Sequence, residues 1–115
     1  MHELGITQSI VAACCERCGT ARVSRVTVEI GRLCAVMPDA VRFCFDVCAR
    51  GIALEGAELQ IIDLPGRGRC RDCGREMDMD DLLACCDCGA FGLECIGGQE
   101  LRIRSMEVFE TTEGL

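Results

Sequence analysis

Two short cysteine motifs constrain this chain more than any other feature. The segments CRDCG, residues 70–74, and CCDCG, residues 85–89, both fit CxxCG, and eleven residues lie between their nearest cysteines. Two cysteines three positions apart in a tight turn direct both sulfurs at one ion, and the following glycine tolerates the positive φ that turns backbone amides toward the thiolates. The spacing therefore predicts one closed site of four sulfurs, from Cys70, Cys73, Cys85 and Cys88.

Zinc is the ion that this pattern favours. A closed four-sulfur zinc site has no open coordination position, so it indicates structure rather than catalysis. It can also supply the folding energy that a lobe of roughly thirty residues lacks. An iron–sulfur or rubredoxin-like iron site and paired disulfides stay open as alternatives. Cys86 is a rival candidate for the position of Cys85, but Cys86-x-Cys88 makes the poorer knuckle, so the spacing favours Cys85.

The number of cysteines bears on the cellular compartment. Twelve cysteines in 115 residues would suit a secreted disulfide scaffold. However, the start of the chain lacks a basic region, an apolar region and a small-residue cleavage site, and no stretch is long enough to span a membrane. We therefore expect a cytoplasmic protein without a membrane partner, in which metal-spaced cysteines are thiolate ligands and the others are small core residues.

Charge and composition count against nucleic acid as a partner. The net charge is −7, and the sequence contains four Phe but no Trp or Tyr. Such a chain offers neither a groove that tracks phosphates nor a platform on which bases stack. No paired-carboxylate site, nucleophile triad or phosphate loop is visible, so we expect no enzyme.

Hydrophobic periodicity predicts the order helix, strand, helix, strand, cysteine-rich insert, strand. The first four elements are expected at residues 3–18, 22–33, from Pro38 to about 51, and 57–64. From Gln99 an alternating pattern returns, and its phase shifts before Met106, which indicates a bulge.

These elements define an α+β fold with two predicted domains. A small mixed three-stranded sheet with two helices carries an inserted four-cysteine, zinc-ribbon-like lobe. The first domain takes residues 1–65 and 99–115, and the zinc domain takes residues 66–98. The final strand is expected to return to the first domain.

The chain begins Met1-His2-Glu3, and His2 is its single histidine. The α-amine and the imidazole can both be neutral near physiological pH, which is the form that a metal requires. With the His2 amide nitrogen between them, they form two fused chelate rings that suit Ni(II) or Cu(II). The carboxylate or amide nitrogen of Glu3 supplies a fourth position. From three residues alone, an accidental histidine in a frayed terminus is the favoured explanation, and the rest of the chain changes that.

A third CxxCG lies at residues 15–19, at the end of the first predicted helix. It has no second knuckle close in sequence, and its cysteines occupy apolar positions, so we interpret it as packing rather than as a redox or metal site. The remaining cysteines outside the predicted zinc set are also expected to pack in the core: Cys14, Cys34, Cys44, Cys48 and Cys95.

With these motifs in place, the whole chain resembles the HypA family of hydrogenase nickel-incorporation proteins. MHELGITQSI resembles the family's start, and VTVEIGRLCAVMPDAVRFCFDV followed by GIALEGAELQIIDLPG resembles its strand, helix and second strand. CRDCG and CCDCG match its zinc lobe, and GGQELRIRSMEVFE matches its closing strand. The chain departs from the family in its extra cysteines, because members often carry aliphatic or small residues there, and proline where Cys86 stands.

The resemblance implies a nickel metallochaperone with a structural zinc site. Ni(II), as transient cargo, binds the Met1 amine, the His2 imidazole and nearby amides with assistance from Glu3. Zn(II) binds the four cysteines of the two knuckles. The implied partners are a HypB-type GTPase and the large subunit of [NiFe]-hydrogenase; some members also serve urease maturation, and a homodimer stays open.

Two other functions remain as rivals. A zinc-ribbon module that binds proteins, without specific nickel delivery, fits the knuckles equally well. A thiol redox enzyme that uses Cys15 and Cys18 is the other, and it requires a cysteine pKa well below about 8.5.

Overall fold

The computed structural model describes residues 2–109. Its elements, in chain order, are α1 (Glu3–Cys18), β1 (Val23–Gly31), α2 (Pro38–Cys48), β2 (Glu58–Leu64), β3 (Arg67–Arg69), β4 (Glu76–Asp78), β5 (Glu94–Gly97) and β6 (Leu101–Val108). The predicted α+β class is confirmed, with two helices, small sheets and four clustered cysteines. Neither helix of the described residues is long and apolar enough to cross a membrane.

The first sheet has the strand order β2-β1-β6, and its strand directions are mixed. Arg32 N donates to Leu64 O, and Thr27 bonds Gln60, so β1 and β2 advance together and are parallel. Gly31 N donates to Glu100 O and Phe109 N to Arg22 O, so β6 runs antiparallel to β1. Helix α2 is therefore the crossover between two parallel strands.

The start of α2 and the end of α1 lie where the sequence favours them. Pro38 and Asp39 open α2, with proline in the first turn and an acid near the positive end of the helix. Helix α1 ends before Gly19, whose φ of 60° lies in the left-handed region. The buried side chains of the two helices include Ile10, Cys14, Val41 and Phe45. These apolar positions explain why α1 and α2 pack together.

Contacts divide the chain into two compact units. Of the described residues, the first unit holds those up to Val28, Val36–Ile61 and those from Ile103 onward, and the second holds Glu29–Ala35 and Ile62–Arg102. The second unit is therefore longer than the expected zinc domain, residues 66–98, because it also takes the residues directly before and after that segment and the separate stretch Glu29–Ala35.

The second unit contains a small antiparallel sheet of order β4-β3-β5. Arg67 pairs with Asp78 and with Gly97, and the pairing with β5 is irregular between Arg67 and Gly68. Its apolar core comprises Cys70, Met79, Cys86 and Leu93. These strands are three or four residues long, which is too short for a periodic pattern, and the sequence did not indicate them.

Three glycines of the second unit lie where its backbone segments approach most closely. A Cβ on Gly31 would overlap the Gly98 carbonyl, and a Cβ on Gly98 would overlap the Gly66 backbone. Gly98 also has φ 102°. Two short hydrogen bonds close this crossing, from Leu33 N to Gly98 O at 2.7 Å and from Met79 N to Gly66 O at 2.9 Å. The crossing requires glycine at these positions because no side chain fits.

Candidate metal centre

Four cysteine sulfurs come together in the second unit. The Sγ atoms of Cys70, Cys73, Cys86 and Cys88 all lie within 4.8 Å of one another, and this is the one such group of three or more potential ligands among residues 2–109. Cys70 Sγ is 3.6 Å from Cys88 Sγ, and Cys73 Sγ is 3.6 Å from Cys86 Sγ. Two of the four cysteines are buried and two are exposed, so the cluster lies at the edge of the lobe core.

The structure differs from the sequence prediction at one ligand position. The cluster contains Cys86, whereas the CxxCG spacing predicted Cys85. Cys85 is exposed, and its thiol donates to Leu83 O at 3.7 Å. Cys86 is 4% exposed and packs with Met79 and Leu93. Burial in this small core therefore brings Cys86 into the cluster, and a spacing rule that reads only local sequence misses such a contact.

Backbone amides point at the sulfurs in both knuckles. Cys73 N donates to Cys70 Sγ at 3.4 Å, and Cys88 N donates to Cys86 Sγ at 3.5 Å. The glycine after each knuckle has a positive φ, 76° at Gly74 and 95° at Gly89. The predicted role of these glycines in the turns is thus seen in the structure.

The cluster holds negative charge unevenly. The backbone N–H of Cys73 and then that of Asp72 lower the pKa of the Cys70 thiol to about 6. At Cys88 the N–H of Ala90 acts in the same sense, but the Cys86 and Cys70 side chains outweigh it and raise the pKa to about 12. The Cys70 sulfur thus ionises readily and the Cys88 sulfur does so with difficulty, because thiolate charges at this distance repel. A cation that binds here would displace thiol protons.

The cluster fits a metal ion that prefers thiolates. Tetrahedral zinc with Zn–S bonds of about 2.3 Å requires sulfurs about 3.8 Å apart. The Cys70–Cys88 and Cys73–Cys86 sulfur–sulfur distances, 3.6 Å each, are close to that value. Each of the twelve cysteines, all within residues 2–109, is free. The donor set of four soft sulfurs and amide hydrogen bonds to two of them also suits zinc.

Two of the predicted nickel ligands, His2 and Glu3, lie at the start of α1. His2 is the exposed N-cap residue, with φ −86° and ψ 93°, and its carbonyl accepts from Ile6 N at 3.2 Å. Met1 lies outside the described residues. Glu3 makes a contact that the sequence did not reveal: its Oε2 accepts from Met37 N at 3.0 Å, 34 positions away. The hydrogen bond from the Met37 N–H lowers the pKa of the Glu3 carboxyl, and a second one from the backbone N–H of Glu3 itself acts in the same direction.

The CxxCG at residues 15–19 forms no metal knuckle. It is the last turn of α1, where the Cys18 thiol donates to Cys15 O at 3.6 Å within the helix. Cys14 beside it is 2% exposed, and burial raises the pKa of its thiol to about 11. A thiol with such a pKa stays protonated at neutral pH, as the packing interpretation of Cys14 requires, whereas Cys15 and Cys18 are only partly buried.

Fold and cluster together define a class: a small α+β protein that carries a four-cysteine metal-binding lobe. Residues 1–108 match the family described as "Hydrogenase/urease nickel incorporation, metallochaperone, hypA". The chain belongs to this HypA family, as its resemblance implied.

Relatives from several organisms agree with this membership. The hydrogenase maturation factor HypA of Nostoc punctiforme is 53% identical over 110 residues, which cover 96% of this chain and 97% of that one. The factor of the same name from Rippkaea orientalis is 54% identical over 111 residues, with the same coverage. That from Geobacter metallireducens is 48% identical over 109 residues, covering 94% and 99%.

Solved structures show a similar fold. The solution structure of the nickel metallochaperone HypA from Helicobacter pylori has a TM-score of 0.65 and 24% identity, covering 95% of this chain and 98% of that one. A second solution structure, of HypA protein, has a TM-score of 0.67 and 23% identity, covering 95% and 97%.

Proposed function

We propose that this chain binds Ni(II) at its N-terminus and delivers it for maturation of [NiFe]-hydrogenase. The observation that carries the proposal is the family match, which begins at residue 1 and thus includes the Met-His-Glu start. The proposed donors are the Met1 amine, the His2 imidazole and nearby backbone amide nitrogens. His2 is exposed ahead of the first helical turn, so its ring is accessible to an incoming ion.

Glu3 has a secondary role in the proposed nickel binding. One of its carboxylate oxygens accepts from Met37 N, at the N-cap of α2, so the side chain ties the start of α1 to the start of α2. Its second oxygen makes no bond to Met37, and its amide N–H, which bonds the same carboxylate, must lose its proton before that nitrogen can bind nickel. A carrier must also release its ion, and a terminal amine and imidazole can do so by taking up protons.

The proposed resident ion of the cysteine cluster is zinc, held by Cys70, Cys73 and Cys88 together with a sulfur of the Cys85–Cys86 pair. Zinc in such a site supplies structure and leaves no position for a reacting group, so we propose no enzymatic activity. Residues 66–98 are the proposed zinc domain, and residues 1–65 with 99–115 the nickel domain.

The proposed partners follow the family. They are a HypB-type GTPase and the hydrogenase large subunit, with urease maturation proteins and self-association into a homodimer as further assignments to test. We propose that nickel delivery takes place in the cytoplasm, where a reducing environment keeps the thiols free.

A second function, protein docking by the zinc lobe, has an observation of its own. Four large apolar side chains of the lobe are exposed: Leu82 at 51%, Leu83 at 87%, Phe91 at 85% and Ile96 at 37%. Exposed apolar groups are common at interaction sites. This role is compatible with nickel delivery, and it replaces that delivery only if the N-terminus binds no nickel.

The deciding experiment is metal analysis and Ni(II) titration of the untagged protein beside its His2→Ala variant. We expect about one zinc in both proteins and about one nickel in the wild type alone. An N-terminal extension is the matched control, because it replaces the amine with an amide and should weaken nickel binding without altering zinc. Equal nickel affinity in wild type and His2→Ala would reject the assignment. Zinc in both and nickel in neither would leave the docking module.

A further inference from the structure

The adjacent cysteines Cys85 and Cys86 give the metal cluster five sulfurs for four positions. Cys86 Sγ lies 3.6 Å from Cys73 Sγ, while the preceding residue, Cys85, is exposed. The Cys85 thiol makes a long hydrogen bond, 3.7 Å to Leu83 O, which a stronger ligand can replace. A thiol outside the cluster thus stands on the residue that directly precedes the ligand Cys86.

The geometry supports either Cys85 or Cys86 as the ligand at this one position. Cys86 occupies it in the structure, with an amide donor from Cys88. Cys85, however, stands three residues before Cys88, the spacing that Cys70 and Cys73 use in the first knuckle. In that knuckle the amide of the second cysteine donates to the sulfur of the first. A shift of one residue would give the second knuckle the same form.

The local backbone permits this shift. Residues 79–93 contain neither helix nor strand, so no ladder of hydrogen bonds fixes their register. Two hydrogen bonds hold the Cys86 backbone, Cys86 N to Ala90 O at 3.1 Å and Gly89 N to Cys86 O at 3.0 Å. Neither involves Cys85. Against the shift stands the burial of Cys86 in the lobe core, which explains why the structure shows Cys86 in the cluster.

We propose that Cys85 and Cys86 are alternative ligands for one position of the zinc site, so that the loaded lobe exchanges between two thiolate registers. This inference rests on the proposed zinc site. In the exchange, the Cys85 thiol loses a proton as its sulfur joins the ion, and the departing Cys86 sulfur takes one up. No electron is transferred. Because the incoming sulfur belongs to the adjacent residue, it can bind the ion before the departing sulfur leaves.

Single and double variants of the full untagged chain test the exchange. Cys85→Ser and Cys86→Ser should each retain about one zinc and lose less than about tenfold in affinity, measured by competition with a chromophoric chelator. The double variant should lose more than about a hundredfold, because three thiolates and water then replace a closed site. Cys95→Ser is the matched control, since its thiol lies in the same lobe and donates to Gly97 O outside the cluster.

A labelling measurement on the wild type covers the case in which Cys86→Ser disturbs the lobe core. A brief pulse of N-ethylmaleimide on zinc-loaded protein, followed by peptide mass spectrometry, should label either Cys85 or Cys86 in each molecule and both sites across the population. Label at Cys85 alone, or at Cys86 alone, would overturn the exchange.

The outcomes separate this proposal from the one on which it rests. A single variant that loses as much affinity as the double variant identifies the one true ligand and overturns the exchange, while the zinc site stands. A double variant that binds zinc like wild type removes the four-cysteine site and the exchange together.

Discussion

The glycine crossing of the second unit makes Gly31→Ala the most informative single substitution for stability. Gly31 is buried at the end of β1, and its N–H donates to Glu100 O at 2.8 Å. An added Cβ would overlap the Gly98 carbonyl and lie 2.7 Å from Gln99 N. These are backbone atoms, so no flexible side chain can move aside, and the backbone segments must separate.

The expected loss follows from that separation. Two hydrogen bonds join the Gly31 segment to residues 98–100, Gly31 N to Glu100 O and Leu33 N to Gly98 O, and each contributes about 1 kcal/mol. Forcing extra volume into a packed site costs about 1–3 kcal/mol more. Since some bonds can re-form after a small shift, we expect Gly31→Ala to lower the free energy of unfolding by about 2–4 kcal/mol.

Urea unfolding of the zinc-loaded protein, followed by far-ultraviolet circular dichroism, measures this loss. Gly5→Ala is the matched control, because Gly5 lies in α1 and its added Cβ would meet nothing within 4 Å. That variant should gain about 0.5–1 kcal/mol through helix propensity. If Gly31→Ala unfolded within about 0.5 kcal/mol of wild type, the close approach of these backbones would be refuted.

Three further predictions concern titration and metal removal. The pKa of Glu3 is lowered in the folded chain, so its bond to Met37 is present above the ordinary carboxyl pKa and lost as pH falls through the lowered value; the Met37 amide chemical shift should report this and should not titrate in Glu3→Gln. The pKa of Cys14 is about 11, so a thiol reagent at pH 8 should modify Cys14 more slowly than Cys15, and equal rates would refute its burial. Because the pKa of Cys88 is about 12 without metal, zinc binding at pH 7 should release protons and weaken as pH falls. Calorimetry in buffers of different ionisation enthalpy measures that release, and a buffer-independent heat would contradict it.

The larger elements could be predicted from local sequence. Helix α1 was placed at residues 3–18, where the structure has it, because an apolar stripe ends at a glycine that favours a left-handed turn. In β6 the partly buried positions change phase between Ile103 and Met106, as the alternation indicated. These features depend on neighbours along the chain, which a sequence displays directly.

Features that depend on distant residues could not be predicted in this way. The choice of Cys86 over Cys85 follows from packing against Met79 and Leu93, which no spacing rule includes. The hydrogen bond from Met37 to Glu3 joins positions 34 apart. Met37 donates its backbone N–H, a group that every residue except proline carries, so its side-chain identity gives no signal.

The order of strands in the first sheet has a consequence for how the chain folds. Strand β6 pairs with β1 across a long stretch of sequence; Ser24 bonds Glu107 O, for example, 83 positions away. Between β2 and β6 lie the residues of the lobe, and pairing of Arg67 with Gly97 brings the ends of that segment together. Closing the lobe first thus shortens the remaining loop roughly sixfold, which lowers the entropy cost of adding β6 by about 1.5 kcal/mol. A metal that closes the lobe should therefore speed the arrival of the last strand, and pulsed hydrogen exchange at the β6 amides, with and without zinc, would reveal whether it does.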